Sequence, residues 1–474
     1  MSSLKESLKK VLKRKLGIDV LELNEQVHED RIKEILCYLE DIHAQIVDIQ
    51  SKTEQQIACI ESTAKKCEEL DCSKIYFGDT LANQAYEIST IKNKVDAIET
   101  LGERLSIKIY EINNSEKNRG KIIQIVNVLK SGDAIGDMIQ VIDRCLKKNG
   151  IASEIYAYEN ETNYPGVKKL DAIPKFSAND ILVFHMTPGK FANQFTAFSG
   201  KKILYYHNIT PAKYFEGYDK ISFESSKLGY SQINGMRDDI DQCIVDSEYN
   251  KQELQDMGYR CPIEIINVPI NFSKFDLEKN NNIPLKPQYH NITFLYVGRI
   301  VPHKKIEDVI EFYDIYRKFE NEQANLIIVG SYEKDGSYFQ YLQTKIKELG
   351  LKSEQIEFKG HITDQELCNV YESADVYVSM SEHEGFCVPI VEAMYFQKVI
   401  IAYNAGAVSD TMGDGGILIN NKNYREISKY LSNFLKDNEK VQIMKIKQKE
   451  MIEKYSLENA EKSIIKYFKQ LGDK

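Results

Sequence analysis

The chain has 474 residues, a formal net charge of −9 at pH 7 and 42% hydrophobic residues. This length exceeds one ordinary hydrophobic core and predicts two or three domains. The negative charge argues against general nucleic-acid binding, which requires a basic surface. Nine scattered cysteines and the lack of an opening secretory signal predict reduced thiols in a cytoplasmic protein.

The first part of the chain carries two helical patterns. Residues 4–16 place leucine and valine on one face and lysine and arginine on the rest, which is typical of a helix on an anionic membrane surface. A short helix packed on its own protein explains this pattern equally well. Residues 32–105 contain isoleucine-rich heptads, which predict a coiled coil and a homo-oligomer. A helical hairpin within one chain is the alternative.

From Lys121 onward, strand patterns alternate with helix patterns. This alternation predicts an α/β fold with two Rossmann-like domains, each a parallel sheet covered on both faces, which face a ligand cleft. A helix is expected at 138–148, and the Asn- and Pro-rich stretch 271–290 reads as the interdomain linker. The predicted strands are IIQIV (122–126), EIYAY (154–158), ILVFH (181–185), KILYYH (202–207), QCIVD (242–246), ITFLYVG (292–298), ANLIIVG (324–330), QIEFKG (355–360), ADVYVSM (374–380) and KVIIAY (398–403).

The most informative stretch is SEHEGFCVPIVEAM, residues 381–394. It follows a buried strand, and Pro389 suits the first turn of a helix because its missing N–H costs nothing there. Glu384 then lies in the loop and Glu392 on the helix. The free N–H groups at the loop end attract an anion, while carboxylates accept hydrogen bonds from hydroxyls. A sugar nucleotide carries both kinds of group.

Two cations follow the strand at 292–298. Arg299 projects from the carboxyl end of that strand, and Lys304 precedes a helix expected near Ile306. Together they can neutralise a diphosphate leaving group, with Lys305 as the alternative to Lys304. We therefore predict a metal-independent site with no cofactor. The D-x-D sequence at 239–241 is interpreted as a helix end or a solvated charge rather than a metal site.

Four stretches in this order resemble the retaining, GT-B fold glycosyltransferases of family 4, and the resemblance covers residues 119–474. They are SGDAIGD (131–137), LYYHNITPAKYF (204–215), FLYVGRIVPHKK (294–305) and the E-x7-E segment at Glu384 and Glu392. The resemblance implies an acceptor domain at 118–271 after a helical extension at 1–117. It also implies a nucleotide-sugar domain at 272–455 and a final helix, 456–474, that crosses back to the acceptor domain.

The resemblance also implies roles for individual residues. Donor-binding residues are Arg299, Lys304, Glu384, Gly385, Phe386, Cys387 and Glu392, with Glu392 on the ribose. Catalytic residues are His207, Glu384, Arg299 and Lys304, and acceptor-binding residues are Gly132, Asp133 and Gly136. Alternatives stay open: His207 as a core-edge histidine, Asp133 as a helix cap, and Cys387 as a nucleophile beside His383.

The function implied is retaining hexosyl transfer, with mannose weakly preferred. The donor is a nucleotide diphosphate sugar, the acceptor a saccharide or lipid-linked saccharide, and the setting surface-polysaccharide synthesis. We expect a cytoplasmic protein, peripheral at the inner face of the membrane. One alternative is a non-catalytic coiled-coil scaffold on this fold, and another is a phosphorylase or hydrolase of the same architecture.

Overall fold

A computed structural model describes residues 104, 107, 120–130, 134–171, 175–275 and 291–472. The predicted membrane helix at 4–16, the heptads at 32–105 apart from Arg104, and most of the linker at 271–290 lie outside the described residues. Within the described ranges, no helix is both long and apolar enough to cross a bilayer.

Seven strands form the first sheet, in the order β3-β2-β1-β4-β5-β6-β7. They are β1 (Ile122–Leu129), β2 (Ser153–Asn160), β3 (Val167–Lys169), β4 (Ile181–His185), β5 (Lys201–Tyr206), β6 (Gln242–Val245) and β7 (Ile263–Ile265). Strand β6 pairs in parallel with both β5 and β7. The helices of this half are α1 (Ala134–Lys148), α2 (Lys190–Phe195), α3 (Lys220–Met236) and α4 (Glu248–Asp256).

Six strands form the second sheet, in the order β10-β9-β8-β11-β12-β13. They are β8 (Thr293–Val297), β9 (Asn325–Val329), β10 (Ile356–Gly360), β11 (Val376–Ser379), β12 (Val399–Tyr403) and β13 (Ile417–Ile419). All neighbouring pairs are parallel. The helices are α5 (Ile306–Phe319), α6 (Ser337–Glu348), α7 (Asp364–Ser373), α8 (Val388–Tyr395), α9 (Val408–Met412), α10 (Tyr424–Lys436), α11 (Asn438–Lys454) and α12 (Leu457–Gly472).

The predicted α/β class and its two Rossmann-like domains are confirmed. The central strands are continuous apolar runs because both faces of each sheet are covered: all four residues of β11 are buried, as are seven of the eight in β1. Side chains of the second sheet pack with α5 and α10 in one core that includes Phe294, Tyr313 and Leu431.

One boundary differs from the prediction. The helix expected at 138–148 begins at Ala134, and so Gly136 belongs to its first turn. A Cβ atom at Gly136 would lie 2.2 Å from the backbone oxygen of Lys130. The glycine therefore allows α1 to start tightly against the end of β1, and this local packing is absent from the sequence pattern.

The chain forms two compact units. The larger consists of Ile123–Lys168, Val183–Ala192 and Ile203–Lys474, and it holds nearly all of both sheets. In the smaller unit, the Asp180 carboxylate accepts hydrogen bonds from the backbone N–H groups of Lys121 at 3.1 Å and Ser177 at 2.8 Å. The rings of Phe176 and Phe198 lie 5.4 Å apart in the same unit.

Helix α12 contacts α1 and α11 within the larger unit. The Lys148 ammonium lies 3.0 Å from the Glu461 carboxylate, and the Tyr467 hydroxyl donates to the side-chain oxygen of Gln242 at 2.9 Å. Helix α12 therefore contacts both α1 and strand β6 of the first sheet.

Candidate functional site

The acidic loop, residues 380–387, joins β11 to α8. Pro389 lies in the first turn of α8, as the sequence predicts, and Cys387 caps the helix with a left-handed backbone at φ 80°. Strand β11 lies beside β8 although β9 and β10 intervene in the chain. The strand order therefore reverses between β8 and β11, and ligands of open parallel sheets bind at the carboxyl ends of strands at such a point.

Lys304 and Glu384 form an ion pair across this switch point. The Lys304 ammonium donates to both carboxylate oxygens of Glu384, at 2.7 Å each. The Glu384 side chain is only 6% exposed and the Lys304 side chain 18%. A short helical turn, Pro302–Lys304, directs the lysine toward the acidic loop. The pair brings together two residues that the sequence assigns to donor binding.

Arg299 lies directly beyond β8 and is exposed. Within the described part of the chain, its guanidinium forms no ion pair or hydrogen bond, while its backbone oxygen accepts from the Tyr296 hydroxyl at 3.2 Å. Burial first, then the charges of Lys304 and Arg299, hold the pKa of His303 well below its usual range. His303 is thus neutral and within the electrostatic influence of two cations.

Glu392 lies on α8 and is 5% exposed. Its carboxylate accepts from the Tyr371 hydroxyl at 3.0 Å and lies 3.5 Å from the Lys274 ammonium. Burial raises the pKa of Glu392, and the two partners only partly oppose this. The carboxylate is thus held in a fixed position at a cost in folding free energy.

Glu392→Gln should raise the melting temperature at pH 8. The pKa of Glu392 is higher in the folded state than the unfolded value of about 4.3. Ionisation of Glu392 therefore lowers the free energy of unfolding as the pH rises from the unfolded to the folded pKa. The full loss persists at any higher pH. Glutamine avoids this loss, so the two proteins should converge at pH 4. Thermal denaturation at both pH values checks this prediction, and equal melting temperatures at pH 8 would contradict it.

The acidic loop also contacts loops that follow strands of the first sheet. The Ser247 hydroxyl donates to the Gly385 carbonyl at 2.9 Å, and the Tyr214 hydroxyl donates to the Glu382 carbonyl at 3.2 Å. Ser247 is also the N-cap of α4, where its side chain accepts from a backbone N–H. These contacts fix the loop from a second side.

Asn208 gives the closest of these contacts. Its backbone is left-handed, with φ 82°, and its side-chain nitrogen donates to the Glu253 carboxylate at 2.9 Å. Its side-chain oxygen, Oδ1, is therefore left to accept from the Nε2 atom of His383. Burial lowers the pKa of His383 to about 4, so the ring donates as a neutral imidazole.

His207 follows β5 and is nearly buried, with 5% of its side chain exposed. Its Nδ1 atom lies 2.9 Å from the Asp246 carboxylate, and its Nε2 atom lies 2.9 Å from Nδ1 of His185. Both ring nitrogens are therefore engaged by protein groups. His207 lies beside the acidic loop, since a Cβ atom on Gly385 would be 2.9 Å from the backbone carbonyl oxygen of His207.

Phe386 and Cys387 are buried. The Phe386 carbonyl accepts from the Thr411 hydroxyl, and the Phe386 ring packs on Tyr455 at 5.2 Å. Burial raises the pKa of the Cys387 thiol, an effect that disfavours the thiolate a nucleophile requires. The nearby His383 is held by Asn208 instead.

The remaining predicted site residues are less well defined. Gly132 and Asp133 lie outside the described residues, while Gly136 approaches the Lys130 carbonyl. Asp239 ends a short helical turn, as the favoured interpretation requires. Across the described ranges, no group of three or more His, Cys, Asp or Glu residues is placed to hold a metal ion. A surface groove of about 610 Å³ against β13, α10 and α11 is lined by none of the predicted site residues.

The segment that holds the second sheet has recognisable relatives. Residues 278–451 match the family model of Glycosyl transferases group 1. This group 1 segment, fewer than half of the 474 residues, contains Arg299, Lys304, Glu384 and Glu392.

Named relatives are similar at low identity. O-antigen chain mannosyltransferase B of Escherichia coli is 25% identical over 179 residues, which cover 37% of this chain and 45% of that protein. The capsular polysaccharide biosynthesis glycosyltransferase CapM of Staphylococcus aureus is 25% identical over 175 residues, covering 35% and 43%. The poly(ribitol-phosphate) alpha-N-acetylglucosaminyltransferase of S. aureus strain COL is 23% identical over 380 residues, covering 78% and 69%. The chain thus spans less than half the length of the first two.

Solved structures share the fold. Sucrose-phosphate synthase from Thermosynechococcus elongatus gives a TM-score of 0.59 at 17% identity and covers 75% of this chain and 100% of that one. Anabaena Alr3699/HepE in complex with UDP and glucose gives 0.53 at 15%, covering 74% and 100%. WaaG, a glycosyltransferase involved in lipopolysaccharide biosynthesis, gives 0.53 at 12%, covering 72% and 98%. At such identities these likenesses show the fold alone, and the predicted GT-B architecture is confirmed.

Several partners at the site were missed by the sequence reasoning. They are Gln124, Asn208, Asp246, Glu253, Lys274 and Tyr371. Asp246 alone carried a usable signal, because it is the last residue of the predicted strand QCIVD, as His207 is of KILYYH.

Proposed function

We propose that this protein transfers a hexosyl group from a nucleoside diphosphate sugar to a saccharide or lipid-linked saccharide, with retention of the anomeric configuration. The observation that carries the proposal is the arrangement at the β8/β11 switch point. An exposed Arg299, which has no ion-pair partner among the described residues, follows β8 there, and a paired Lys304 contacts the buried Glu384. Cations that suit a diphosphate thus lie beside carboxylates that suit sugar hydroxyls.

The cations act on the leaving group. As the bond between the sugar C1 atom and the donor phosphate oxygen breaks, negative charge grows on the diphosphate, and Arg299 and Lys304 stabilise it. A bound phosphate competes with Glu384 for the Lys304 ammonium, which frees the carboxylate to accept from hydroxyls of the transferred sugar. Glu392 accepts from the ribose hydroxyls.

Retention requires attack from the face that the leaving group vacates. The acceptor oxygen forms its bond to C1 on that face, and its proton passes to the departing phosphate oxygen, so no protein nucleophile is needed. The two carboxylates of the site have other roles in this scheme: Glu384 accepts from hydroxyls of the transferred sugar once phosphate binds Lys304, and Glu392, held by Tyr371, accepts from the ribose. A front-face displacement uses both without making either one covalent.

Two relatives support the acceptor class. They are a mannosyltransferase of an O-antigen chain and a glycosyltransferase of capsular polysaccharide biosynthesis. We therefore favour mannose as the transferred sugar and surface polysaccharide as the product. The basic helix expected at 4–16 supports binding at the inner membrane face, and the heptads at 32–105 support a homo-oligomer.

A donor screen tests the proposal. The full chain is incubated with a panel of nucleotide sugars and saccharide acceptors, and products are analysed by mass spectrometry and NMR. One donor should be consumed only with an acceptor, giving a linkage with the donor's anomeric configuration. Free sugar or sugar phosphate would favour the hydrolase or phosphorylase alternative. Absence of binding to both GDP and UDP in calorimetry would favour the scaffold.

Activity should survive EDTA. Arg299 and Lys304 supply the positive charge that a divalent ion provides in metal-dependent transferases. With chelator in about tenfold excess over residual metal, the rate should stay within roughly twofold of the untreated rate. Strict dependence on added magnesium would contradict the prediction and redirect attention to Asp239 and Asp241.

A further inference from the structure

Four buried side chains form one hydrogen-bonded string across the first sheet. The Gln124 side-chain oxygen on β1 lies 3.1 Å from Nε2 of His185, the last residue of β4. Nδ1 of His185 lies 2.9 Å from Nε2 of His207, which follows β5. Nδ1 of His207 lies 2.9 Å from Asp246, which follows β6. Strands β1, β4, β5 and β6 are neighbours in that order, so the string is a direct product of the topology.

The Gln124 end fixes the direction of the string. The side-chain nitrogen of Gln124 donates to the backbone oxygen of Ile139 at 3.0 Å. Turning the amide over would place two acceptor oxygens against each other, so its oxygen must face His185. An oxygen there requires a proton on Nε2 of His185.

His185 therefore presents a lone pair to His207. The ring is fully buried, and burial holds the pKa of His185 well below its usual range. A neutral ring that carries its proton on Nε2 has none on Nδ1. The proton between the two rings must then belong to Nε2 of His207.

Two neutral histidines carry one proton fewer than the three hydrogen bonds of the string require. Three contacts need three protons and two neutral imidazoles supply two, so a third proton lies between His207 and Asp246, and an imidazole is ordinarily a stronger base than a carboxylate. Asp246 is 5% exposed, the Tyr205 hydroxyl lies near it, and its second oxygen has no hydrogen-bond partner within the described residues. A buried carboxylate with so few partners is costly unless a cation faces it. A third proton, on Nδ1 of His207, completes the string and supplies that cation.

We propose that His207 is held as an imidazolium at neutral pH, with Asp246 as its counter-ion and with His185, anchored by Gln124, as the positioning residue that enforces this state. The chemical state follows from the geometry. Its consequence rests on the proposed function: His207 cannot serve as a general base, and it balances a carboxylate charge that would otherwise repel the donor diphosphate.

The titratable groups around the His207–Asp246 pair do not supply the missing proton. The Tyr205 ring stacks on His207 at 4.2 Å, and burial raises the pKa of its hydroxyl far above the neutral range. Glu253, held by Tyr206 at 2.7 Å, reaches this region through Asn208. His383, with its pKa lowered to about 4, is neutral on the far side of Asn208.

NMR of the full chain labelled with nitrogen-15 in histidine tests the proposal. At pH 7.5 both ring nitrogens of His207 should bear protons, with the signals assigned by their loss in His207→Gln. In His185→Phe the acceptor for Nε2 is gone, so only Nδ1 should remain protonated. His185→Gln is the matched control, because its carboxamide can donate to Gln124 and accept from His207 with the same direction. A singly protonated His207 in the wild type would overturn the proposal, whether or not either variant folds.

Kinetics supply the second readout. His185→Phe should raise the donor KM roughly tenfold with a smaller change in kcat, the size expected when one unit charge near an anionic ligand is left unbalanced. His185→Gln should restore the wild-type KM. Equal KM values for wild type and His185→Phe would overturn the charge-balancing role. Double protonation in a protein that binds no nucleotide would instead contradict the proposed function and leave the string intact.

Discussion

Arg299→Ala should lower turnover by about 10²- to 10³-fold, because removing one preorganised donor to a developing anion costs roughly 3 to 4 kcal/mol of barrier. Lys304 is already bound to Glu384 by two contacts of 2.7 Å. The exposed Arg299 guanidinium has no such partner in the described ranges, so it is available to a diphosphate before any ion pair breaks. Steady-state kinetics with saturating donor and acceptor measure the loss.

The fold should be unaffected by this change. Arg299 is exposed, and its backbone oxygen, which accepts from the Tyr296 hydroxyl, is retained by alanine. Circular dichroism and the melting temperature should therefore match the wild type. Arg260→Ala is the matched control, since this exposed arginine precedes β7 whereas Arg299 follows β8. Near-normal turnover of Arg299→Ala, or an equal loss in Arg260→Ala, would refute the assigned role.

Much of the fold could be predicted from patterns within a few consecutive residues. The strand before the acidic loop, the proline in the first turn of α8 and the start of α5 at Ile306 are all confirmed. Each depends on a few consecutive residues, through apolar run length or the proline that suits a helix start. The three-residue strands β3, β7 and β13 escaped notice because so short a run has no periodicity.

Side-chain partners could not be predicted in the same way. Lys304 and Glu384 are 80 residues apart and meet because β8 and β11 are neighbours, which is a property of strand order. The string from Gln124 to Asp246 likewise needs four strands in a known order. The sequence places each residue at a strand, but which strands adjoin is decided by packing of the whole domain.

The second large effect is expected from Gly385→Ala. A Cβ atom there would lie 2.5 Å from Cβ of Asn208 and 2.9 Å from the carbonyl oxygen of His207. Neither atom is the end of a flexible side chain, so the acidic loop itself must move. The 2.9 Å bond from Ser247 to the Gly385 carbonyl would then lengthen, and Glu384 would shift with its neighbour. A displacement of about 1 Å at a reacting centre costs on the order of 10²-fold in rate.

A matched control separates crowding from the loss of a glycine. Gly235 lies within α3, and a Cβ atom there meets nothing within 4 Å. Gly235→Ala should therefore keep full activity and add about 0.5 to 1 kcal/mol of stability, because alanine is the better helix former. Wild-type kinetics for Gly385→Ala would show that the loop tolerates the methyl group, and would remove the argument that this contact positions Glu384.

A second substitution tests the cause directly. Asn208 has a left-handed backbone that glycine adopts without strain, and Asn208→Gly removes the nearer of the two clashing atoms. In the double variant the crowding at Asn208 is gone while the His207 carbonyl remains, so part of the lost rate should return. Two residues in contact should show non-additive effects, with the double variant faster than the product of the single effects predicts. Strictly multiplicative losses would mean that the two positions act separately, and that the acidic loop is not held against the segment after β5.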